Sequence, residues 1–209
     1  MKKSMTIIYP EYKGLYINLT NRCPCACTFC IRQKASGAEF ENVETLWLDH
    51  EPTAQEVIDA IKAESKLDRF KDYKEFVFCG YGEPTEALDV LLETARFLKE
   101  KTDKPIRINT NGLGNLINKK DITPLFEGLI DAVSISLNSS DPKIYAERVR
   151  PKFGEESHSA MLDFARCAVK HVPNVTMTTV STTITKEDEE NCRKICESLG
   201  VKYRIRELI

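Results

Sequence analysis

Short apolar runs alternate along the chain with segments in which apolar residues recur at every third or fourth position. The short runs predict β-strands, and the longer spacing predicts helices that bury one face. A regular alternation of strands and helices is typical of a parallel sheet with right-handed crossover connections. The predicted strands are residues 15–19, 75–79, 106–109, 132–137, 175–180 and 201–206.

The predicted helices carry local signals at their ends. Thr53 and Glu56 have the spacing of a capping box, which predicts that a helix begins immediately after Thr53. Thr123 and Pro124 place a cap and an N1 proline before a short helix. Gly200 suits the left-handed position that ends the last helix. Further helices are predicted near residues 88–98, from 142 to about 170 with a break at 151–154, and from 185 to 199.

The unusual residues of the chain follow the carboxyl ends of predicted strands. An open doubly wound sheet and a segment of a barrel both fit the alternation, and in both folds ligands bind beyond these ends. The first strand leads into a long segment, about 20–52, and such a length favours a functional role. The next three strands lead into residues 80–85, 109–112 and 138–140, which are mostly small or polar.

Composition narrows the class of protein. A chain of 209 residues, 42% of them hydrophobic, fits a single domain over residues 1–209. The 30 Lys and Arg residues nearly balance the 32 Asp and Glu residues, which excludes a strongly basic nucleic-acid binder. No apolar run is long enough to span a membrane. The apolar stretch within the first ten residues is too short for the core of a signal peptide. Cysteine, at about 4%, is too rare for a disulfide scaffold, so a reducing, cytoplasmic location is expected.

The strongest chemical signal is a group of four cysteines within eight residues: Cys23, Cys25, Cys27 and Cys30. Within it, Cys23, Cys27 and Cys30 have the spacing C-x3-C-x2-C. Three thiolates on one segment can hold three irons of a [4Fe–4S] cluster and leave the fourth iron without a protein ligand. An open iron can bind a substrate or cofactor directly, as the open position of a catalytic zinc does.

Other interpretations of the cysteines stay open at this stage. All four could bind one zinc ion, since structural zinc favours four thiolates, although their spacing is tight for that. The chain could then be a non-catalytic iron–sulfur or zinc binding module, or an ordinary α/β enzyme with a structural metal. We expect Cys25 not to be a ligand. The other four, Cys79, Cys167, Cys192 and Cys196, are expected to be packed thiols.

The residues around this spacing resemble the signature of radical S-adenosylmethionine (SAM) enzymes, in which an aromatic residue, here Phe29, precedes the last cysteine. Residues 80–84, Gly-Tyr-Gly-Glu-Pro, resemble the glycine-rich glutamate motif of that superfamily. Residues 109–112 resemble its segment after the third strand. The stretches 19–25, 78–85 and 135–138 are similar to the small subfamily of TatD family-associated radical SAM proteins.

The resemblance implies an α/β fold, a partial TIM-like (β/α)6 barrel with one [4Fe–4S] cluster. It implies that SAM chelates the open iron and is cleaved reductively to a 5′-deoxyadenosyl radical, which abstracts hydrogen from an unknown substrate. The implied cluster ligands, which are also the catalytic residues, are Cys23, Cys27 and Cys30. The implied SAM contacts are Phe29, Ile31, Gly80, Tyr81, Gly82, Glu83, Pro84, Asn109, Asn111, Ser136 and Asn138.

Partners are also implied by the resemblance. A flavodoxin or a ferredoxin is expected as electron donor, and a TatD-like hydrolase is a partner by family association. The substrate is expected to be a small molecule or a protein, as for the enzymes that activate glycyl-radical proteins, while a nucleic acid is not expected. The basic segment 147–154 is either a solvated surface or a binding site for an anionic substrate or partner. His50, His158 and His171 are expected at the surface.

Overall fold

The computed structural model describes residues 4–33, 43 and 45–207, so part of the long segment 20–52 lies outside the described residues. Seven strands form a single sheet in which the spatial order equals the chain order. The strands are β1 (Ile8–Glu11), β2 (Gly14–Ile17), β3 (Glu75–Phe78), β4 (Ile106–Thr110), β5 (Ala132–Ser136), β6 (Asn174–Val180) and β7 (Lys202–Arg206).

The six strands predicted from the sequence are β2 to β7, and every neighbouring pair among them is parallel. A doubly wound sheet reverses its strand order at a switch point, whereas this order runs in one direction from β2 to β7. Right-handed crossovers then place the helices on one side, as in a barrel wall. No described strand joins β1 to β7, so the fold is an open, partial barrel, as the resemblance implies.

Strand β1 was not among the predicted elements. It pairs antiparallel with β2, with Tyr9 opposite Tyr16, through a turn in which both Tyr12 and Lys13 have positive φ. Such turns normally carry glycine or asparagine, so the sequence at residues 12 and 13 gives no turn signal. Pro10 is tolerated because β1 lies at the edge of the sheet.

The helices agree with the prediction in most positions. The capping box of Thr53 and Glu56 is present at the start of the first helix, and Gly200 ends the last helix with φ of 68°. The short helix predicted at Thr123 and Pro124 is present as a 3-10 helix, Thr123–Phe126, whose N-cap is Ile122 and not Thr123. The α-helices are α1 (Ala54–Glu64), α2 (Leu88–Lys101), α3 (Gly114–Asn118, not predicted), α4 (Pro142–Val149), α5 (Glu156–Ala168) and α6 (Lys186–Leu199).

The two faces of the sheet have different chemistry. Alternate strand residues, such as Phe76, Ile108 and Ile135, pack with the apolar stripes of the helices in one continuous core. On the opposite, concave face, β1, β2 and β3 contribute a smaller aromatic layer, which we define as Tyr9, Tyr16, Leu46, Val77 and Tyr81. The concave positions of the later strands are polar: Arg107, Asn109, Ser134, Ser136, Thr176 and Thr178.

Within residues 4–33, 43 and 45–207, no helix is both long and apolar enough to cross a bilayer.

Candidate functional site

The cysteine loop, residues 21–30, follows β2 and is held by a distant part of the chain. The backbone N–H of Thr28 donates to the carbonyl of Arg148 at 2.8 Å, and that of Ala26 donates to the carbonyl of Val149 at 3.0 Å. In return, the N–H of Lys152 donates to the carbonyl of Pro24 at 2.8 Å. The junction between α4 and α5 therefore anchors the loop through its backbone, which is a role the sequence did not suggest for the basic segment 147–154.

All four cysteines of the loop are free thiols, of which Cys25 is buried and the other three are half-buried. Cys25 shares a hydrogen bond with Cys23, which lowers the pKa of Cys23 and raises that of Cys25. Burial raises the pKa of Cys27 to about 12 and also raises that of Cys30. Metal binding removes these protons, since thiolates are the ligating form.

One hydrogen-bond donor lies beside two of these sulfurs, and a buried hydroxyl belongs to the same core cluster as Cys25. The side-chain amide of Asn111 is 3.6 Å from Cys25 Sγ and 4.0 Å from Cys23 Sγ. The hydroxyl of Tyr145, on α4, is buried and has no hydrogen-bond partner among the described residues. Burial raises the pKa of Tyr145, and the thiols of Cys25, Cys27 and Cys23 raise it further, because the ring lies next to the loop. The sequence analysis gave Tyr145 no role beyond its place in the helix predicted from residue 142.

Residues 80–84 follow β3 and pack directly against the start of the cysteine loop. A Cβ at Gly82 would lie 2.1 Å from the carbonyl oxygen of Thr20, and one at Gly80 would lie 2.1 Å from Asn18 Oδ1. Glycine is therefore required here for close approach between two segments of the protein, a need that a signature for cofactor binding does not reveal. The backbone N–H of Glu83 completes the contact by donating to the carbonyl of Arg22 at 2.8 Å.

Glu83 is buried and joins the ends of β3 and β4. Its carboxylate accepts hydrogen bonds from the Thr110 hydroxyl and the Asn111 N–H, both at 2.7 Å, and from the N–H and hydroxyl of Thr85. Burial raises the pKa of Glu83, and these donors partly offset the effect. The carboxylate thus fixes the position of Asn111, whose amide reaches the cysteines.

The remaining predicted contacts lie at the carboxyl ends of β4 and β5. Asn109 accepts a short hydrogen bond from Arg107 on the concave face of β4, and Ser136 is half-buried at the end of β5. Asn138 is buried with a left-handed φ of 62°, and its side-chain Oδ1 has no partner among the described residues. This oxygen is a buried acceptor available to a ligand.

Aromatic residues close the other side of the loop. Tyr81 packs edge-on against Trp47 with ring centroids 5.2 Å apart, and Ile31 packs against the same aromatic layer. The guanidinium of Arg32 stacks over the Trp47 ring at 4.7 Å. Among the other predicted contacts, Phe29 is half-buried and Pro84 is buried.

His158 corrects one expectation. It is 6% exposed instead of lying at the surface, and its Nε2 is 3.1 Å from the carbonyl oxygen of Ser139. Met161 and Ala165 follow at helical spacing and are also buried, so the apolar period of α5 could have predicted its inward position. Its ring packs edge-on against Tyr145 at 5.2 Å and supports that residue.

The donor set fits a [4Fe–4S] cluster. Within the described part of the chain, no three His, Cys, Asp or Glu side chains are arranged to hold a single metal ion. A four-iron cluster places each thiolate on its own iron, so its ligands need not converge on one point. Three half-buried thiols supply the ligands, and the Asn111 amide near Cys23 supplies a hydrogen-bond donor of the kind that such a cluster uses.

Comparison with known proteins gives one family. The family model described as "Radical SAM superfamily" matches residues 17–199. No curated protein matches the chain in sequence.

Solved structures share the fold. A radical SAM methyltransferase from Sphaerobacter thermophilus superposes with a TM-score of 0.62 at 15% identity, covering 96% of this chain and 68% of that one. SuiB of Streptococcus suis, bound to its precursor peptide SuiA, gives 0.66 at 20% identity, covering 93% of this chain and 39% of SuiB. SuiB bound to S-adenosylmethionine gives 0.61 at 17% identity, covering 93% and 38%. The chain therefore spans less than half of SuiB, and identities this low establish the fold alone.

Proposed function

The chain belongs to the radical SAM superfamily, whose cofactors are a [4Fe–4S] cluster and SAM, and from this premise we propose that it is an enzyme that cleaves SAM reductively. When bound, these cofactors supply a 5′-deoxyadenosyl radical that removes a hydrogen atom from the substrate. Such an enzyme needs an electron donor, for which we propose a flavodoxin or a ferredoxin. The protein's own task is to bind, orient and enclose the cofactors.

The observation that carries the proposal is the anchored cysteine loop. Cys23, Cys27 and Cys30 are half-buried at the carboxyl end of β2, and the loop is held by backbone hydrogen bonds to the α4–α5 junction. We assign these three thiols as cluster ligands. Cys25 is assigned as a non-ligand, since it is more buried than the other three cysteines of the loop and its Sγ lies 3.6 Å from the Asn111 amide.

Groups at neighbouring strand ends would bind SAM. The unpartnered Oδ1 of Asn138 is an acceptor for a ribose hydroxyl, and Ser136 lies close to it along the chain at the end of β5. The backbone carbonyls of residues 80–82 are acceptors for an ammonium group. Their position is set by the glycine contacts with Asn18 and Thr20. Glu83 acts through Asn111 as a positioning residue, because its oxygens already accept protein donors.

The aromatic layer would keep water away from the radical. Ile31 directly follows the cysteine loop and Tyr81 follows β3, and both pack in this layer on the concave face. A dry, enclosed site prevents a reactive intermediate from being quenched by solvent. We assign the enclosing role to Tyr81 and Ile31, and propose that Phe29, the residue before the last cysteine, flanks the adenine.

A second candidate function is activation of a protein partner. The complex of SuiB with its precursor peptide shows a protein of this fold that binds a peptide. A polypeptide substrate would reach the concave face through the open side of the sheet, between β1 and β7. A TatD-like hydrolase stays a predicted partner, on the resemblance alone.

The test is reconstitution with iron and sulfide without oxygen, reduction with dithionite and measurement of 5′-deoxyadenosine from SAM. The expected result is about four irons per chain, the electron paramagnetic resonance (EPR) signal of a reduced [4Fe–4S] cluster, and slow product formation without added substrate. Cys27→Ala should lose the cluster and the product. Cys25→Ala, the matched control, should retain both.

One zinc ion per chain, or normal product formation by Cys27→Ala, would refute the proposal. Loss of the cluster in Cys25→Ala, with the protein still folded, would overturn the assignment of Cys25 as a non-ligand but not the reaction.

A further inference from the structure

The last strand places a basic residue inside the partial barrel. In β7, residues 202, 204 and 206 share one face, since side chains alternate along a strand, and Tyr203 packs on the helix side. Arg206 is half-buried, and its Nε donates to the hydroxyl of Thr178 on β6 at 3.1 Å. Thr178 is one of the polar residues of the concave face.

Arg206 ends β7 and Cys79 directly follows β3, so in this parallel sheet both lie at the carboxyl edge, where the cysteine loop follows β2. Burial lowers the pKa of Arg206, while the thiols of Cys79 and Cys27 act on it in the opposite direction. Cys79 follows β3, which is separated from β7 by three strands, and Cys27 lies on the cysteine loop. Arg206 therefore faces the interior space that Cys27 and Cys79 also border.

Arg206 has no carboxylate partner among the described residues. Arg107, the other half-buried arginine of the concave face, is held by Glu75 at 2.6 Å and also donates to Asn109. A guanidinium stays protonated at all relevant pH values, and removing it from water is costly unless an anion compensates it. A half-buried guanidinium that faces a ligand space, with no carboxylate partner among the described residues, is the chemistry expected of an anion site.

We infer that Arg206 binds an oxyanion, a carboxylate or phosphate group, of the substrate. The planar guanidinium can donate to two oxygens at once, and the hydrogen bond from its Nε to the Thr178 hydroxyl fixes its orientation. Arg204, exposed on the same strand face, adds positive charge at the rim. The substrate of the proposed reaction is then an anionic molecule, or a residue with an acidic neighbour in a protein. The anion site itself does not depend on the proposed function; only the identification of the anion as part of the substrate rests on it.

The competing occupant is the carboxylate of SAM itself. The two occupants are separated by measuring anion binding after the SAM site is saturated. Inorganic phosphate and malonate serve as probes, since they carry the two oxyanion chemistries without the rest of a substrate. Binding is measured by calorimetry on the reconstituted protein without oxygen and in the presence of SAM.

Wild-type protein should bind at least one probe, and Arg206→Gln should bind it at least about tenfold more weakly, as expected for loss of a charged hydrogen-bond donor. Arg206→Lys keeps the charge but lacks the fork, and should fall between the two. Arg166→Gln makes the same change in net charge at an exposed arginine of α5 and should bind like the wild type. Circular dichroism and the melting temperature of each variant establish that it is folded.

Equal probe binding by wild type and Arg206→Gln, or no probe binding by the wild type, would overturn the inference. A loss of SAM affinity in Arg206→Gln would also overturn it, by assigning the guanidinium to the cofactor carboxylate. None of these results depends on turnover. Failure of the proposed function would show separately, as absence of 5′-deoxyadenosine from the wild-type protein.

Discussion

Glu83 Oε2 accepts the backbone N–H of Asn111 at 2.7 Å, and the amide of Asn111 in turn reaches Cys25 Sγ at 3.6 Å. One carboxylate therefore links the segment after β3, the segment after β4 and the cysteine loop. The glutamate of a motif associated with cofactor binding here has a structural role, because its carboxylate accepts hydrogen bonds from Thr85, Thr110 and Asn111 of the protein itself.

Replacing Glu83 by Gln should disturb this link. The amide keeps one acceptor oxygen and replaces the other with an NH2 group. If the oxygen still accepts from Thr110 and Thr85, the NH2 group faces the Asn111 N–H, which loses its acceptor. We expect a loss of about 1–3 kcal/mol in the free energy of unfolding, measured with urea. The control is Glu127→Gln, since Glu127 is exposed and pairs with His171 at the surface. Equal stability of Glu83→Gln and wild type would contradict the structural role.

Glu64 should give a pH-dependent contribution to stability. Arg69 Nε donates to its carboxylate at 2.6 Å, the Tyr73 hydroxyl donates at 2.6 Å, and both lower the pKa of Glu64. A depressed pKa in the folded state gives stability that is present above the unfolded pKa and lost as the pH falls. Because Arg69 is mostly exposed, we expect Glu64→Gln to lose only about 1 kcal/mol near neutral pH.

The difference between Glu64→Gln and wild type should shrink from about pH 5 downwards, below which the unfolded carboxyl begins to bind a proton. Urea unfolding of both proteins across this range checks the sign. A difference that stays constant, or grows, as the pH falls would show that the hydrogen bonds to Glu64 do not favour its charged form.

Gly82→Ala should displace the segment after β3. The added Cβ would meet backbone atoms, the carbonyl oxygens of Thr20 and Arg22, which cannot move without shifting the cysteine loop. We expect a loss of about 3 kcal/mol by overpacking, together with poorer iron incorporation. Gly154→Ala is the control: it has open space around its Cβ, so positive φ alone costs about 1 kcal/mol there. Similar losses for the two variants would argue against the close contact.

Tyr145→Phe should change the reduction potential of the cluster without lowering the stability of the protein. The hydroxyl has no partner among the described residues, so its removal should leave the cluster-free protein equally stable or slightly more stable. The ring contact with His158 is kept. In the reconstituted protein, loss of a donor beside the cluster should lower its reduction potential, as monitored by EPR during a redox titration. An unchanged potential would mean that the hydroxyl does not face the cluster.

The sequence predicted the six parallel strands and their order along the chain. Buried strands appear as short apolar runs, whereas helices with one buried face show apolar residues at every third or fourth position, so the two are distinguishable. Thr53 and Gly200 marked helix ends correctly for the same reason, since their chemistry is local. Strand β1 was not predicted, because Tyr12 and Lys13 in the turn that follows it adopt positive φ although neither residue type favours it. Whether the sheet was doubly wound depended on spatial order, which no local pattern contains.

The sequence could nominate candidate ligands where chemistry lies in spacing, as for Cys23, Cys27 and Cys30, whose role as ligands stays a prediction. It was not predictable where a role depends on distant partners. Tyr145 reads as an ordinary apolar helix position, and Arg206 as an ordinary strand residue, until folding places each beside the cysteine loop or the concave face. The glycines at 80 and 82 were predicted as functional, but their close contacts with Asn18 and Thr20 are visible only in three dimensions.

The anchoring of the cysteine loop sets an order of events during biosynthesis. The cysteines leave the ribosome early, whereas the backbone groups of residues 148–152 that hold them are synthesised much later, and Asn111 itself lies 86 positions beyond Cys25. Closing such a long loop is entropically costly until the intervening strands have paired. The nascent thiols therefore stay unanchored while the first half of the sheet forms. Iron that arrives after α4 has been synthesised can bind to a preformed site. Iron that arrives earlier encounters a flexible chain.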